Sequence, residues 1–285
     1  MTQTKQKPAK IKREFIYTRE DFEFIRKLVY EVSGISLSDV KEDMVYSRLA
    51  RRLRILGIPS FKEYCHYLDN NQDIELSNAI NAITTNLTHF FRENHHFETL
   101  KKDVLPKLVI KKPRGNRLRI WSAGCSTGEE PYSIAMTVRE AIPTIKQWDA
   151  KILATDLDSN CIEHCKAGVY DIKRIEPVAD NLVKKWFTEL PNNPNKVQIS
   201  SELAADITFK ELNLMNHWPI KGPFDVIFCR NVVIYFDKPT QQRLYQRFYN
   251  LLAPGGMLFL GHSEQLGEFQ KHFEALGKTS FRKIG

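Results

Sequence analysis

Three groups of residues in this chain have types and spacings that could do chemistry. The first is Gly124-Cys125-Ser126-Thr127-Gly128-Glu129-Glu130. It follows the apolar run Leu118-Arg119-Ile120-Trp121 and precedes the helical pattern Ile134-Ala135-Met136-Thr137-Val138-Arg139. A strand, a turn of small residues and a helix start form a pocket for a nucleotide-like ligand. Small residues let the ligand approach the backbone, and the helix start offers unpaired N–H groups. The second is Asp156, which ends the strand pattern Lys151-Ile152-Leu153-Ala154-Thr155. An acid there is placed to accept hydrogen bonds from ribose hydroxyls. It lies about 30 residues past the turn, against the ~20 of the dinucleotide pattern. The turn also has two glycines, Gly124 and Gly128, where a dinucleotide fingerprint has three. The two features together suggest an adenosine-containing cofactor and weaken the dinucleotide reading. The third group ends the buried-type strand Phe224-Asp225-Val226-Ile227-Phe228-Cys229. Arg230 and Asn231 follow at once, and Tyr235 a few residues on. In open α/β sheets the carboxyl ends of strands carry the site, so these side chains are expected to face the same crevice as Gly124 and Asp156.

Other reactive side chains read as ordinary. His95 and His96, with His89, could suggest a metal, but adjacent histidines on a helix point apart and no ligand set accompanies them, so no metal is expected. Cys161 and Cys165 share a helix face without further ligands. Cys229 could be imagined as a nucleophile for pyrimidine methylation but reads as a small buried residue at a strand end. His262 reads equally as packing or as a pocket neighbour.

The elements that position these groups are legible from periodicity. Thr18-Arg19-Glu20-Asp21 is a capping-box start, after which Phe22, Ile25, Leu28, Val29 and Val32 recur at helical spacing until Gly34. A second helix is expected from about 41 to 56, with Val45, Leu49, Leu53 and Leu56 as its stripe. Arg48, Arg51 and Arg52 share one face of it, and Arg54 extends the positive surface. Ser60-Phe61-Lys62-Glu63 opens a short helix to about Leu68, and a further helix is expected over 73–84. After the linker Thr85–Arg92, a helix over 93–110 leads to the turn Lys111-Lys112-Pro113-Arg114-Gly115. Strands are then expected near 118–123, 151–156, 207–212, 224–229 and 256–261, alternating with helices near 129–141, 159–167 and 239–252. Such alternation implies a parallel sheet. The interval 170–206 is less regular. It holds a helix near 181–190, the turn Pro191-Asn192-Asn193-Pro194-Asn195 and a short strand over Lys196–Ile199, and it reads as an inserted subdomain.

The expected organisation is therefore a disordered lead over 1–14, a helical domain over 15–90 and an α/β domain over 91–285 that includes the insertion at about 170–206. The chain has 285 residues, 42% of them hydrophobic, enough for two domains with cores. No apolar run approaches the ~18 residues needed to span a bilayer, and the polar, basic start does not read as a signal peptide. Five scattered cysteines argue against a disulfide framework and for a reducing cytoplasm. The net charge of +8 favours an acidic partner without choosing among nucleic acid, anionic membrane and protein.

Several of these stretches together resemble the chemotaxis receptor methyltransferase family (CheR-type). They are Thr85-Asn86-Leu87-Thr88 with Phe90-Phe91-Arg92, then Gly124 through Ser133, Ala154-Thr155-Asp156, Phe228-Cys229-Arg230-Asn231 with Ile234-Tyr235-Phe236, and Gly261-His262-Ser263-Glu264. The similarity runs from about residue 15 onward. It implies an all-helical N-terminal domain followed by a Rossmann-like methyltransferase domain with a small inserted subdomain. It also implies transfer of a methyl group from S-adenosylmethionine to glutamate side chains of bacterial chemoreceptors. Carried over residue by residue, it implies that Asn86, Thr88 and Arg92 reach the cofactor from the linker. Ala123 with Glu129 or Glu130, Glu130 preferred, would hold the methionine part, Asp156 the ribose, and Asn213 and Leu214 the adenine. Arg230, Asn231 and Tyr235 would line the floor near the sulfonium and the incoming glutamate. Ser122 stands where many methyltransferases carry an acid, a departure that agrees with this family.

The chemistry is consistent. A receptor glutamate is ionised at neutral pH and needs no general base before attacking a methyl group. The remaining task is alignment of oxygen, methyl carbon and sulfur, for which Arg92 and Tyr235 are the candidate groups. Arg48, Arg51, Arg52 and Arg54 are the candidate docking face for acidic methylation helices of the receptor. A receptor C-terminal tail, where it tethers the enzyme, would add a strand to the inserted subdomain. The protein is expected to be a cytoplasmic monomer without membrane insertion. One rival is a nucleic-acid methyltransferase, but Arg230-Asn231-Val232-Val233 stands where exocyclic-amine enzymes carry an Asn/Asp-Pro-Pro-aromatic loop. The other rival is a non-catalytic receptor-docking module, against which the intact set Glu130, Asp156, Asn231 and Tyr235 argues.

Overall fold

The computed structural model describes residues 13–84, 86–111 and 117–285. Of the lead expected over 1–14, residues 1–12 lie outside the described residues, as do the turn residues 112–115. The chain divides into two compact units, Met1–Thr84 and Thr85–Gly285.

The first unit is helical: α1 (Arg19–Ser33), α2 (Glu42–Leu56), α3 (Phe61–Asn70) and α4 (Ser77–Ile83). The Thr18–Asp21 box is fully formed, each side chain accepting the other's backbone N–H, and Gly34 closes α1 in the left-handed conformation. Phe22, Ile25 and Val29 of α1 are buried with Val45, Leu49 and Leu53 of α2. Tyr17, Tyr46 and Phe61 pack around one another with centroids 4.4–5.5 Å apart. The single helix expected over 73–84 is instead a π-helical turn, Gln72–Leu76, leading into α4. The wider turn brings the Glu75 carboxylate back to Arg52 and Tyr64.

The second unit opens with α5 (His95–Thr99), a π-turn (Leu100–Val104) and α6 (Leu105–Lys111). Next come β1 (Arg117–Ala123), α7 (Glu129–Ala141), β2 (Asp149–Asp156), α8 (Ser159–Ala167) and β3 (Val169–Asp171). They are followed by α9 (Asp180–Trp186), β4 (Phe187–Leu190), β5 (Asn193–Ile199), α10 (Ser201–Ala204) and β6 (Ile207–Glu211). The chain continues through β7 (Phe224–Cys229), α11 (Lys238–Leu251), β8 (Leu252–Leu260), β9 (Phe273–Ala275) and β10 (Ser280–Lys283).

The main sheet has the order β6-β2-β1-β7-β8-β10-β9. β6, β2, β1, β7 and β8 are parallel. The expected strands are parallel, and the sheet gains an edge the sequence did not signal, where β10 runs antiparallel to both β8 and β9. Gly277, Lys278 and Thr279, all at positive φ, turn the chain back between β9 and β10, so no crossover helix is needed. β1 lies between β2 and β7, and the order reverses there; this switch point opens the ligand crevice at the strand carboxyl ends. The two sheet faces carry different aromatic stacks. Phe97, Phe228 and Phe259 stack on one; Trp121, Trp218 and Phe248 cluster on the other.

The insertion forms a separate antiparallel sheet, β3-β5-β4. The helix expected over 181–190 stops at Trp186, and Phe187–Leu190 pairs with β5. Phe187 and Thr188 are better strand than helix formers, and the following asparagine- and proline-rich turn closes the hairpin.

Candidate active site

Gly124, Ser126 and Gly128 all take positive φ, so the chain reverses sharply between β1 and α7. The reversal is pinned from β2: Gly124 N and Cys125 N donate to Thr155 O at 2.8 and 2.9 Å, and Ser126 N donates to Asp156 Oδ2 at 2.7 Å. From behind, the Tyr170 hydroxyl donates to Thr127 O and the Cys165 thiol to Ser126 O. A Cβ at Gly124 would lie 2.3 Å from Val232 Cγ2, and one at Gly128 would lie 2.6 Å from the Tyr170 hydroxyl. Gly124→Ala therefore meets both a steric overlap and left-handed strain of about 1–3 kcal/mol. It is expected to weaken S-adenosylhomocysteine binding and lower the urea midpoint together; wild-type values for both would refute this account of the turn.

Asp156 sits at the switch point with both oxygens engaged, Oδ1 accepting the N–H of Asp158 at 3.0 Å. Burial pushes its pKa up to about 6, and the backbone donors hold it from rising further. Each oxygen keeps a second lone pair. Asn86, on the linker, donates from Nδ2 to Asp158 Oδ2 at 2.8 Å, and its carbonyl accepts from the Ser126 hydroxyl. The linker thus lies against the glycine turn and the acid. Thr88 is half-buried on the same segment.

Glu129 and Glu130 are both buried but face different ways. Glu129 accepts from Thr127 Oγ1 at 2.7 Å and from Arg174 Nη1 at 2.5 Å, toward the inserted subdomain. Glu130 accepts from the Ser122 hydroxyl at 2.7 Å and from Arg230 Nη1 at 2.9 Å. Burial raises the Glu130 pKa while Arg230 and Ser122 oppose the rise. Glu130, in the first turn of α7, thus brings a carboxylate to within hydrogen-bond distance of Ser122, at the end of β1. Of the pair, Glu130 is on the side of β1 and β7, and Ala123 ends β1 beside it, fully buried.

Arg230 is the hub at the end of β7. Besides Glu130 it reaches Glu93 Oε2 at 3.4 Å and donates to the Arg92 carbonyl. Asn231, at φ 59°, accepts from Arg92 Nη2 at 3.0 Å and donates to Glu93 Oε1 at 3.2 Å. The Arg92 guanidinium also donates to Leu87 O at 2.7 Å. Its partners are neutral acceptors, and it makes no ion pair among the described residues. Tyr235 is half-buried on the 3₁₀ turn Val233–Tyr235. Asn213 caps its own turn by accepting the Met215 N–H, and Leu214 is buried; both follow β6, whose neighbour β2 ends at Asp156.

Glu93 joins His95 and His96 in a cluster whose ligand atoms lie within 4.8 Å of one another. This corrects the expectation that no carboxylate accompanies the histidines, since Glu93 precedes them at the positive-φ bend before α5. Arg230 is that carboxylate's charge partner, burial pushes the His96 pKa down to about 3, and His96 Nε2 contacts Lys278 O at 2.7 Å. Cys229 is fully buried, and burial holds its thiol far above the range of a nucleophile. Cys161 and Cys165 are also buried, whereas His262 is exposed.

Glu264 is 2% exposed and accepts four backbone N–H groups, from Asn231, Val232, Ile234 and Gly261. Its only sequence signal is an acid three residues past the glycine that directly follows β8.

The receptor-facing candidates are not equivalent. Arg48 donates to the carbonyls of Ile83 and Thr84. Arg52 forms a two-pronged pair with Glu75, which is 1% exposed. Arg54 pairs with Glu14. Arg51 is exposed and makes no ion pair among the described residues.

A mostly parallel sheet with a switch-point crevice, a glycine turn and an acid ending the second strand defines a Rossmann-like fold with a place for an adenosine-containing cofactor. Residues 86–282 match the CheR methyltransferase SAM-binding domain, and residues 20–84 match the CheR methyltransferase all-alpha domain. The chain is 46% identical over 258 residues to a probable chemotaxis protein methyltransferase of Rhizobium etli, covering 90% of this chain and 96% of that one. It is 44% identical to chemotaxis protein methyltransferase 2 of Pseudomonas aeruginosa, with 94% of each chain covered. It is 42% identical to the chemotaxis protein methyltransferase of Escherichia coli, covering 91% of this chain and 89% of that one. The chain belongs to the CheR methyltransferase family.

Proposed function

We propose that this chain transfers a methyl group from S-adenosylmethionine to glutamate carboxylates of chemoreceptors, forming methyl esters. The observation that carries the choice of acceptor is Arg92. Its guanidinium is half-buried beside Asn231 and, among the described residues, bonded to neutral oxygens, so its charge remains for an incoming carboxylate. Arg230, by contrast, is neutralised by Glu130 and Glu93. S-adenosylmethionine supplies an electrophilic methyl group on a sulfonium. Asp156 binds the ribose hydroxyls with its spare lone pairs, Glu130 faces the methionine ammonium, and Asn86 and Thr88 close over the ligand from the linker. Asn213 and Leu214 border the adenine. Arg92 and Tyr235 orient the acceptor. Arg92 holds the carboxylate without proton transfer, since an ionised oxygen already has the electron pair it needs.

The helical unit contributes the receptor face. Arg51 is the docking arginine, because Arg48 and Arg52 serve the fold and Arg54 has a carboxylate of its own. Arg51→Glu is expected to raise KM for receptor about threefold or more, as loss of an interfacial charge pair does, while donor affinity stays put. An unchanged receptor KM would remove Arg51 from the docking surface. A receptor tail would add to an open edge of the β3-β5-β4 sheet. No helix among the described residues is long and apolar enough to cross a membrane. The protein acts in the cytoplasm, as a monomer.

The test uses methyl-labelled S-adenosylmethionine and membranes containing chemoreceptors. Alkali-released volatile methanol establishes a carboxyl ester; label that resists alkali refutes it.

A further inference from the structure

We propose that Glu264 is a positioning residue for methyl transfer, fixing the loop that carries Arg230, Asn231 and Tyr235; this rests on the function proposed above. The carboxylate accepts Gly261 N at 2.6 Å and Asn231 N at 2.9 Å on Oε2, and Val232 N at 2.8 Å and Ile234 N at 3.3 Å on Oε1. The turn that presents it is closed by its own N–H donating to Gly261 O. No cation pairs with it among the described residues, so oriented backbone N–H groups alone meet its charge. Three of the four donors belong to the loop after β7, and the fourth, Gly261, directly follows β8. One side chain therefore ties two strand ends together at the crevice.

The consequence reaches the reacting groups through Asn231. That residue takes the left-handed conformation, which asparagine tolerates better than most side chains but still adopts at a cost that its surroundings must offset. Glu264 fixes it by binding the N–H on either side of its carbonyl, those of Asn231 and Val232. In that conformation the Asn231 side chain lies between Arg92 and Glu93. Val232, on the same loop, is the wall against which Gly124 packs. The clearance on the β8 side is equally small: a Cβ on Gly261 would stand 2.7 Å from Asn231 N and 2.9 Å from its Cγ. Glutamine cannot substitute for the acid. It offers one acceptor oxygen and an NH₂ group that would face further N–H donors.

The experiment uses the full chain as Glu264→Gln and, independently, Gly261→Ala, which disturbs the same contact from the β8 side. Amide hydrogen exchange, S-adenosylhomocysteine binding and methyl transfer to receptor membranes are measured below the melting transition. Exchange at Asn231, Val232 and Ile234 is expected to rise while β2 amides keep their protection. In both variants kcat should fall about tenfold or more, as loss of aligned geometry does, and by a larger factor than the product's Kd rises. A folded Glu264→Gln protein with wild-type kcat, or with wild-type exchange at these amides, overturns the proposal. If that variant does not fold, Gly261→Ala decides by the same criteria. If the wild type esterifies no receptor, the function proposed above fails, while exchange and product binding still judge Glu264.

Discussion

Asp156→Ala is expected to weaken S-adenosylmethionine binding by at least about 100-fold, the equivalent of losing two hydrogen bonds to a charged acceptor at roughly 1.5–3 kcal/mol each. On the proposed binding mode the direct loss is the acceptor for the ribose hydroxyls. An indirect loss accompanies it, because the same carboxylate accepts the N–H groups of Ser126 and Asp158. Ser126 is the midpoint of the glycine turn at φ 48°, and removing the acid leaves its N–H without that partner. Asp156→Asn separates the two contributions: one oxygen remains, and the charge is gone. Its donor affinity should fall between wild type and alanine. Calorimetric titration reads both variants. An alanine variant within tenfold of wild type would place the ribose elsewhere.

Arg230→Ala is expected to be the most destabilising single substitution in the site, at about 3–5 kcal/mol, the usual cost of stripping one partner from a buried ion pair. Arg230 is 5% exposed and serves Glu130, Glu93 and the Arg92 carbonyl at once. Its removal leaves buried Glu130 with only the Ser122 hydroxyl. The pH dependence has a definite sign. Burial already raises the Glu130 pKa, and loss of the guanidinium raises it further. A carboxyl whose folded pKa exceeds its unfolded value destabilises the fold at neutral pH and is relieved by protonation. The stability deficit of Arg230→Ala should therefore shrink as pH falls from 7 toward the unfolded glutamate pKa of about 4.3. Urea unfolding at two pH values tests this; a deficit that grows on acidification contradicts the assignment. The double variant Glu130→Gln, Arg230→Met should recover much of the stability but not the activity.

These two residues illustrate how far the sequence could be read. The carboxyl-end position of Asp156 and Arg230 follows from strand patterns alone, since apolar runs bounded by a glycine turn or a polar pair are local signals. β7 and the helices at 129–141 and 159–167 are legible for the same reason. What surrounds Arg230 is not local. Its partners Glu130 and Arg92 lie 100 and 138 residues away, and no periodicity encodes such a meeting. Arg52 shows the same limit: its helix face could be read, but not its buried partner Glu75. The β3-β5-β4 sheet and the β9–β10 pair escape for another reason. Their strands are short and partly polar, and only their pairing makes them strands. Glu264 carried one weak sign, and its role emerged only once four N–H groups were seen to converge on it.

The contact between His96 and Lys278 spans 182 positions, and Glu264 binds a loop 30 to 33 positions earlier. The α/β unit therefore closes its crevice with the β8–β10 region. The helical unit ahead of it makes contacts over intermediate separations, such as the 23 positions between Arg52 and Glu75 and the 40 between Arg54 and Glu14. During synthesis the helical unit can settle early, whereas the catalytic unit has to wait for the ribosome to release β10. Long-range closure of this kind slows folding and lengthens the exposure of unfinished sheet edges. A nascent chain stalled after β7 would carry Asp156 and Glu130 yet lack Glu264, which binds the loop after β7, and Lys278, which contacts His96.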